Sequence, residues 1–429
     1  MVNIIITRLK RWYESQLLDQ QQGFRTGRGT IDAIYTLKRV QQITEKMKRP
    51  TYVLFIDLTA AFDHIDRDIM FETIYQRISS YEDRKLIQLL ESLYSYTTTA
   101  LAETPKDEFT IKNGVRQGGP ESPVLFNLYI DFIMRIYINA CQCQGIKFLR
   151  LHYRIPTSAT NTRSSVGKQT IDWVGYADDL ALAFEDCENL RSGLKLLHKT
   201  LKRYSLEINV KKTKTMILNY QHSSEEYPNT IAYIDGKPIE NVKIFVYLGC
   251  IIKYNEPSTG DEELQTRIDT SNCKFYESGK NLMNYKIALE TRVNVFNSLV
   301  RSRLTHACKT WSLTQRQQNH MNATYVSMLR KMVRGGYRRK QGTYHFVLTN
   351  QDILSRCKTE NLHAFIGRIQ RNYMAHVVRM EDTRIVKRVL FNDDDRKKRG
   401  TMITTYGTVI KNENTTPESF NKNALARKF

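Results

Sequence analysis

Acidic residues are scarce in this chain. Across 429 residues, 44 Asp and Glu stand against 65 Lys and Arg, a net charge of +21 at pH 7. That balance argues against an ordinary neutral enzyme surface and favours a polyanionic partner, because Lys and Arg on phosphates release condensed counterions. Nucleic acid is the first expectation and an anionic membrane surface the second. Cysteine is scarce too: seven, an odd number with irregular spacing, in a chain far larger than most disulfide scaffolds. A reducing compartment is expected. Cys141 and Cys143 lie close in sequence, but without a second Cys/His pair at ligand spacing they read as plain thiols. The opening MVNIIITRLKRW breaks its apolar run at Arg8 and lacks a signal-peptide core, and no stretch approaches the roughly 18 apolar residues of a membrane span. The expectation is an intracellular protein, cytoplasmic or nuclear and not secreted. Neither an internal repeat nor an array of zinc ligands is visible.

What is present is enough to fold. With 41% hydrophobic residues the chain can bury a sizeable core, and at roughly 100–200 residues per domain its length allows about two to four domains. Residues 1–49 read as two helices around a basic, turn-rich loop, GFRTGRGT. TYVLFID reads as a buried strand ending at Asp57, residues 67–97 as helix, and PVLFNLYIDFIMRIY as an apolar helix that starts at Pro123. Residues 153–170 read as a loop or hairpin insert. IDWVGYADDLALAF gives two apolar runs joined at Asp178 and Asp179, a β-hairpin with two acids at its turn. A helix over 188–204, a strand over 215–218, a turn at Asp235–Gly236 and a strand ending in FVYLG follow. Near residue 260 the pattern turns mostly helical, and beyond about 390 it becomes polar enough to predict a disordered tail.

Three acids carry the chemical reading. Two Asp in a hairpin turn are unremarkable alone, since Asp favours turns. Asp57 at the end of a second strand changes their meaning, because antiparallel neighbours could bring all three together. Clustered carboxylates repel one another unless cations hold them, and hard divalent ions take carboxylates plus substrate phosphates. A pair of such ions about 3.5–4 Å apart can activate a 3′-hydroxyl and stabilise leaving pyrophosphate. Acids within a basic chain point to nucleotidyl transfer.

The motifs then resemble a known family. LFIDLTAAFDHIDR, NGVRQGGPESPVLFNLYIDF, YADDLAL, LEINVKKTKTM and FVYLGC occur in the order of reverse transcriptase motifs A to E. With GFRTGRGTIDAI upstream, they resemble the reverse transcriptase of a non-LTR, LINE-type retrotransposon across residues 23–250, and more weakly over 260–390. The resemblance implies an α+β right-hand polymerase: fingers and palm with an antiparallel sheet in 1–255, a helical thumb over 256–345, a helical extension over 346–390 and the tail over 391–429. It implies RNA-directed DNA synthesis on an RNA template from a DNA primer and deoxynucleoside triphosphates, with two Mg²⁺ ions, or Mn²⁺, and no membrane. Oligomeric state is left open.

Roles carry over by position. Asp57, Asp178 and Asp179 resemble the metal-binding acids, with Asp179 the more peripheral. Phe62 falls where the family places an aromatic against the sugar. Arg116, Gln117 and Gly118 resemble the turn beneath the incoming nucleotide. Lys212 resembles the lysine that protonates the leaving group, with Lys211 and Lys214 as neighbouring alternatives. Tyr247, Leu248 and Gly249 resemble the turn under the primer terminus, and Phe24, Arg25 and Arg28 the fingers loop on the template. In the thumb, Arg330, Lys331, Arg334, Arg338, Arg339 and Lys340 form a run without an acid, suited to duplex phosphates.

Two departures bear on activity. Glu121 stands where the family usually has an apolar residue, and Gly119 where it often has Asp or Cys. A carboxylate near the triphosphate is expected to repel it by about 1–2 kcal/mol. Related elements also carry more of the fingers and commonly an endonuclease upstream, so a truncated copy is expected. The alternative function is a decayed or repurposed relative that binds nucleic acid without polymerising.

Overall fold

A computed structural model describes residues 1–95, 98–101, 104–156, 164–220, 226–256, 259–333, 337–340, 343–392 and 405–426. Helices α1 (Val2–Gln16) and α2 (Thr30–Lys46) flank the basic loop. Strand β1 (Thr51–Ile56) leads into α3 (Ala61–His64), α4 (Arg67–Tyr75) and α5 (Tyr81–Ser95). A hairpin of β2 (Thr98–Leu101) and β3 (Thr104–Thr110) precedes α6 (Ser122–Cys143). Two more hairpins follow, β4 (Leu149–Pro156) with β5 (Ser164–Ile171), and β6 (Trp173–Tyr176) with β7 (Asp179–Phe184). Helix α7 (Cys187–Arg203) and strands β8 (Lys214–Leu218), β9 (Thr230–Ile234), β10 (Lys237–Asn241), β11 (Ile244–Tyr247) and β12 (Cys250–Lys253) complete the mixed half.

Helices dominate from there. They are α8 (Asp261–Glu277), α9 (Gly279–Leu282), α10 (Leu289–Phe296), α11 (Ser302–Leu304) after a π-helical turn, and α12 (Gln315–Met332). A hairpin of β13 (Tyr337–Lys340) and β14 (Thr343–Phe346) comes next. Then come α13 (Asn350–Arg356), α14 (Leu362–Arg379), α15 (Ile385–Leu390), α16 (Thr405–Asn412) and α17 (Pro417–Leu425).

The central sheet has strand order β6-β7-β1-β8-β10-β9, antiparallel except for the β8–β10 pair. The two faces of β1 explain why VLFI is apolar at every position. Leu54 and Ile56 enter one core with the buried stripe Leu190, Leu194, Leu197 and Leu201 of α7 and the inner face of α6. Val53 and Phe55 enter a second core with α2 and residues of α14, α15 and α17. A strand covered on both faces must be apolar at every position. A third core, including Phe275, Phe296, Trp311 and Leu329, holds the helices after residue 260 together. Helix α14 joins two of these cores, with Leu362 and Ile366 in the helical one and Tyr373, Met374 and Val377 behind the sheet.

Three expectations change. The basic stretch after α12 contributes paired strands rather than helix, because Tyr337–Lys340 pairs in register with Thr343–Phe346. The tail is not simply disordered: α16 and α17 pack on α14 through buried Val409, Phe420 and Ala424, too few apolar positions to stand out in a polar sequence. Among the described residues one helix, Ser122–Cys143, is long and apolar enough to cross a membrane, with about two-thirds of its apolar window buried inside the chain. That apolar length covers the sheet.

Candidate active site

Because β1 ends at Ile56, Asp57 is the first residue beyond a strand buried on both faces. The β1–β7 register sets Ile56 opposite Leu180, and one step further lies Asp57 across from Asp179. Tyr176 pairs with Asp179, so Ala177 and Asp178 form a two-residue loop, with Ala177 at φ +59°. One local pairing and one long-range pairing thus bring the three acids to the same sheet end. Asp57 and Asp179 line a cleft of about 230 Å³ with Lys212, Phe245, Val246 and Tyr247.

The electrostatics match. Burial first, and then the carboxylates of Asp178 and Asp57, push Asp179 up to about 6 against the opposing pull of Lys212. Asp178 is raised by burial and by Asp57. Lys212 Nζ lies 3.7 Å from Asp57 Oδ1, with the lysine exposed and the aspartate half-buried. Among the described residues no three His, Cys, Asp or Glu side chains form a ready-made metal cage. The donor set is nevertheless all oxygen, and its mutual repulsion is of the kind a hard divalent cation relieves while completing its shell with water and phosphate. The residues therefore fit Mg²⁺ or Mn²⁺.

The flanking turns are built in different ways. Arg116, Gln117, Gly118 and Gly119 form a turn closed by Gly119 N–H donating to Arg116 O at 3.2 Å, with Gly118 at φ +82°. Gln117 and Gly118 are exposed, whereas Arg116 lies over the Tyr94 ring at 5.1 Å and donates to Leu93 O. Val115 N–H donates to Phe62 O at 2.9 Å, and Phe62 stacks on Phe126 of α6 at 4.2 Å. The Phe62 ring is half-buried, its position set by the helix behind it. Leu248 and Gly249, at φ +49° and +77°, join β11 to β12 as a two-residue loop, the pattern of a type I′ hairpin.

The sequence profile described as "Reverse transcriptase (RNA-dependent DNA polymerase)" matches residues 1–252. The chain belongs to the reverse transcriptase family. Its mixed sheet followed by helices is the α+β architecture expected of that family. It is 26% identical over 206 residues to the retrovirus-related Pol polyprotein from type-1 retrotransposable element R2 of Nasonia vitripennis, covering 48% of this chain and 18% of that one. It is 28% identical over 186 residues to the polyprotein from type-2 retrotransposable element R2DM of Drosophila melanogaster, covering 42% of this chain and 15% of that one. The chain therefore spans under a fifth of each of these curated relatives. Among solved structures, apo telomerase from Candida tropicalis superposes with a TM-score of 0.44 at 12% identity, covering 91% of this chain and 55% of that one.

In this chain the remaining predicted residues divide. Of the three lysines, Lys214 is held by Glu240 at 2.7 Å while Lys212 faces Asp57. Tyr247 is buried, its hydroxyl donating to Val174 O at 3.3 Å, and burial raises its pKa. Phe24 is 48% exposed beside Tyr176. Arg25 and Arg28 depart from expectation, because both guanidinium groups turn inward. Arg25 pairs with Glu14 at 3.1 Å and donates to backbone carbonyls of Leu18 and Gln21, and Arg28 pairs with Asp19 at 2.6 Å. They brace the loop instead of reaching for phosphate. Arg330 is likewise buried, bound to Leu348 O and Asn350. Arg334 lies outside the described residues; Arg338 and Arg339 lie on β13.

Glu121 corrects another expectation. It is 2% exposed beneath the turn, accepting from the Tyr94 hydroxyl at 3.2 Å. A Cβ on Gly119 would fall 2.6 Å from its Oε1. The two departures from the family pattern are thus coupled: glycine vacates the space into which the carboxylate folds, away from the cleft. Sequence reasoning missed Gln21, Thr213, Arg267 and His306. Thr213 Oγ1 accepts from Asp57 N–H at 3.2 Å, while Arg267 and His306 bind the Gly249 and Leu248 carbonyls. No local pattern marks these residues, since each acts across more than ten positions of chain.

Proposed function

We propose that this chain is the RNA-directed DNA polymerase of a non-LTR retrotransposon, extending a DNA primer 3′-hydroxyl on an RNA template. The observation that carries the reading is that Asp57, just past β1, and Asp179, at the start of β7, line one cleft, with Asp178 in the adjoining loop. These three carboxylates would hold two Mg²⁺ ions. When bound, the ions supply activation of the 3′-hydroxyl and stabilisation of pyrophosphate charge. Lys212, at the cleft edge, neutralises charge near the departing pyrophosphate and is the candidate donor of its proton. Phe62, backed by Phe126, presents a ring edge that excludes a 2′-hydroxyl. The Arg116–Gly119 turn supports the nucleotide, with backbone close approach permitted by Gly118. The Tyr247–Gly249 turn supports the primer end, Phe24 offers a face to the template, and the segment 256–345, helices followed by the β13–β14 pair, acts with Arg334, Arg338 and Arg339 as a thumb on duplex phosphates. The reducing interior of a cell is the proposed setting, where seven free thiols persist.

Primer extension on poly(rA) by the purified chain tests the reading. Mg²⁺-dependent synthesis is expected, with a loss of about a thousandfold or more in Asp178→Asn, since it removes a ligand used throughout the reaction. Equal rates for the two proteins would sink the catalytic claim and leave the nucleic-acid-binding alternative.

A further inference from the structure

The acidic turn does not hold its own shape. Ala177 sits at φ +59°, a left-handed conformation that a non-glycine residue adopts only under constraint. Its two backbone groups are both engaged by one distant side chain. Gln21 Oε1 accepts from Ala177 N–H at 2.9 Å, and Gln21 Nε2 donates to Ala177 O at 3.1 Å. The same oxygen accepts from Gly23 N–H at 2.9 Å, and Gln21 is wholly buried. The segment carrying this amide is itself fastened on two sides. Gln22 N–H donates to Gly175 O at 2.8 Å and Gly175 N–H to Gln20 O at 3.0 Å, a short parallel bridge along the free edge of β6. Asn127 of α6, also buried, donates to Gly23 O at 2.8 Å. Gly23 approaches so closely that a Cβ there would lie 2.4 Å from Ala177 N.

We propose that Gln21 is a positioning residue for catalysis: its amide locks Ala177 in the left-handed conformation and thereby fixes where Asp178 and Asp179 point relative to Asp57. The fingers loop then serves the acids more directly than it serves the template, and α6 is connected to the same turn through Asn127 and Gly23. A rotation about Ala177 moves Asp178, the next residue, before it moves anything else. Displacing a reacting geometry by about 1 Å costs on the order of a hundredfold in rate. This inference rests on the polymerase reading for its kinetic consequences but not for its metal-binding ones.

Three variants test it. Gln21→Met keeps length and bulk and loses all three amide hydrogen bonds. Gln21→Glu keeps the shared acceptor. The double variant Gln21→Met with Ala177→Gly replaces the strained residue by one that adopts positive φ freely. Mn²⁺ binding is read by electron paramagnetic resonance without nucleotide, and kcat, nucleotide KM and duplex Kd by primer extension and filter binding. Gln21→Met is expected to bind Mn²⁺ about tenfold more weakly and to lose about a hundredfold in kcat, with KM and Kd within about twofold. Gln21→Glu should fall between, and the added glycine should recover part of the loss, which a packing role would not allow. Mn²⁺ affinity and kcat unchanged in both single variants would overturn the proposal, as would a loss that the glycine leaves untouched. An inactive wild type whose Mn²⁺ binding still depends on Gln21 would remove the polymerase reading and leave the positioning role standing. Should Gln21→Met fail to fold, the Gln21→Glu comparison carries the test.

Discussion

The loops Ala177–Asp178 and Leu248–Gly249 both join antiparallel neighbours through two residues, both use positive φ, and each adjoins a residue that lines the cleft, Asp179 and Tyr247. They differ in what holds them. The first is bound at N–H and C=O of one residue by a neutral amide from the N-terminal loop. The second has its carbonyls bound by His306 at 3.4 Å and by Arg267, a guanidinium also paired to buried Glu263. A neutral clamp beside three carboxylates adds no charge to a place where charge must be left for cations. The second clamp is an ion-paired guanidinium from α8, its charge already met by Glu263, and it ties the turn beside the proposed primer end to the helical body. Loop length and backbone geometry are shared; the chemistry of the support follows what each loop faces.

The largest expected effect comes from the acidic turn. With Asp179 near 6, protons and divalent ions compete for it as pH falls. The Mg²⁺ needed for half-maximal rate should rise by about tenfold between pH 7 and pH 5, as protons come to occupy a carboxylate whose pKa lies inside that window. The sign follows from the raised pKa, because below it the carboxyl is neutral and cannot ligate. A Mg²⁺ requirement flat across that window would dissolve the electrostatic contrast between the turns.

A smaller effect belongs to the second turn. Gly249→Ala places a side chain at φ +77° and 3.2 Å from His306 Nε2. A penalty of about 1 kcal/mol should weaken template–primer binding roughly fivefold while nucleotide KM and Mg²⁺ dependence hold steady. Changes in Mg²⁺ dependence there would blur the division of labour.

The smallest effect serves as the control. Glu121 sits under a third turn and faces inward, so Glu121→Leu should leave nucleotide KM within about twofold, because its carboxylate does not approach the triphosphate and the Tyr94 hydroxyl keeps Ser122 as a partner. A clear drop in KM would return it to the cleft.

The parts of this fold visible in the sequence are those whose physics is local. The apolar run of β1, the stripe on α7 and the acids at the ends of apolar runs all state their geometry within a few residues. The β13–β14 pair and the packed tail helices escaped because their support comes from pairing and from a few distant contacts such as Phe420 on α14. Arg25, Arg28 and Arg330 show the limit most clearly: a basic residue reads as a phosphate ligand until its acidic or carbonyl partner is seen, and Glu14, Asp19 and Leu348 are those partners here. Glu121 is the mirror case, an acid read as facing the cleft until the space beside Gly119 is known.

The sequence alone determined that three carboxylates lie at strand ends in a chain with a net charge of +21, and that ordered motifs surround them. Hydrophobic periodicity and turn propensity act over a handful of residues, and they suffice for that. Only the tertiary structure decided which of the basic residues are spent on internal ion pairs, which lysine meets Asp57, and that the acidic turn is shaped by Gln21. The reason is physical: a charge or a strained φ takes its meaning from partners that dehydrate, pair or hydrogen-bond it, and those partners come from parts of the chain that only folding brings together.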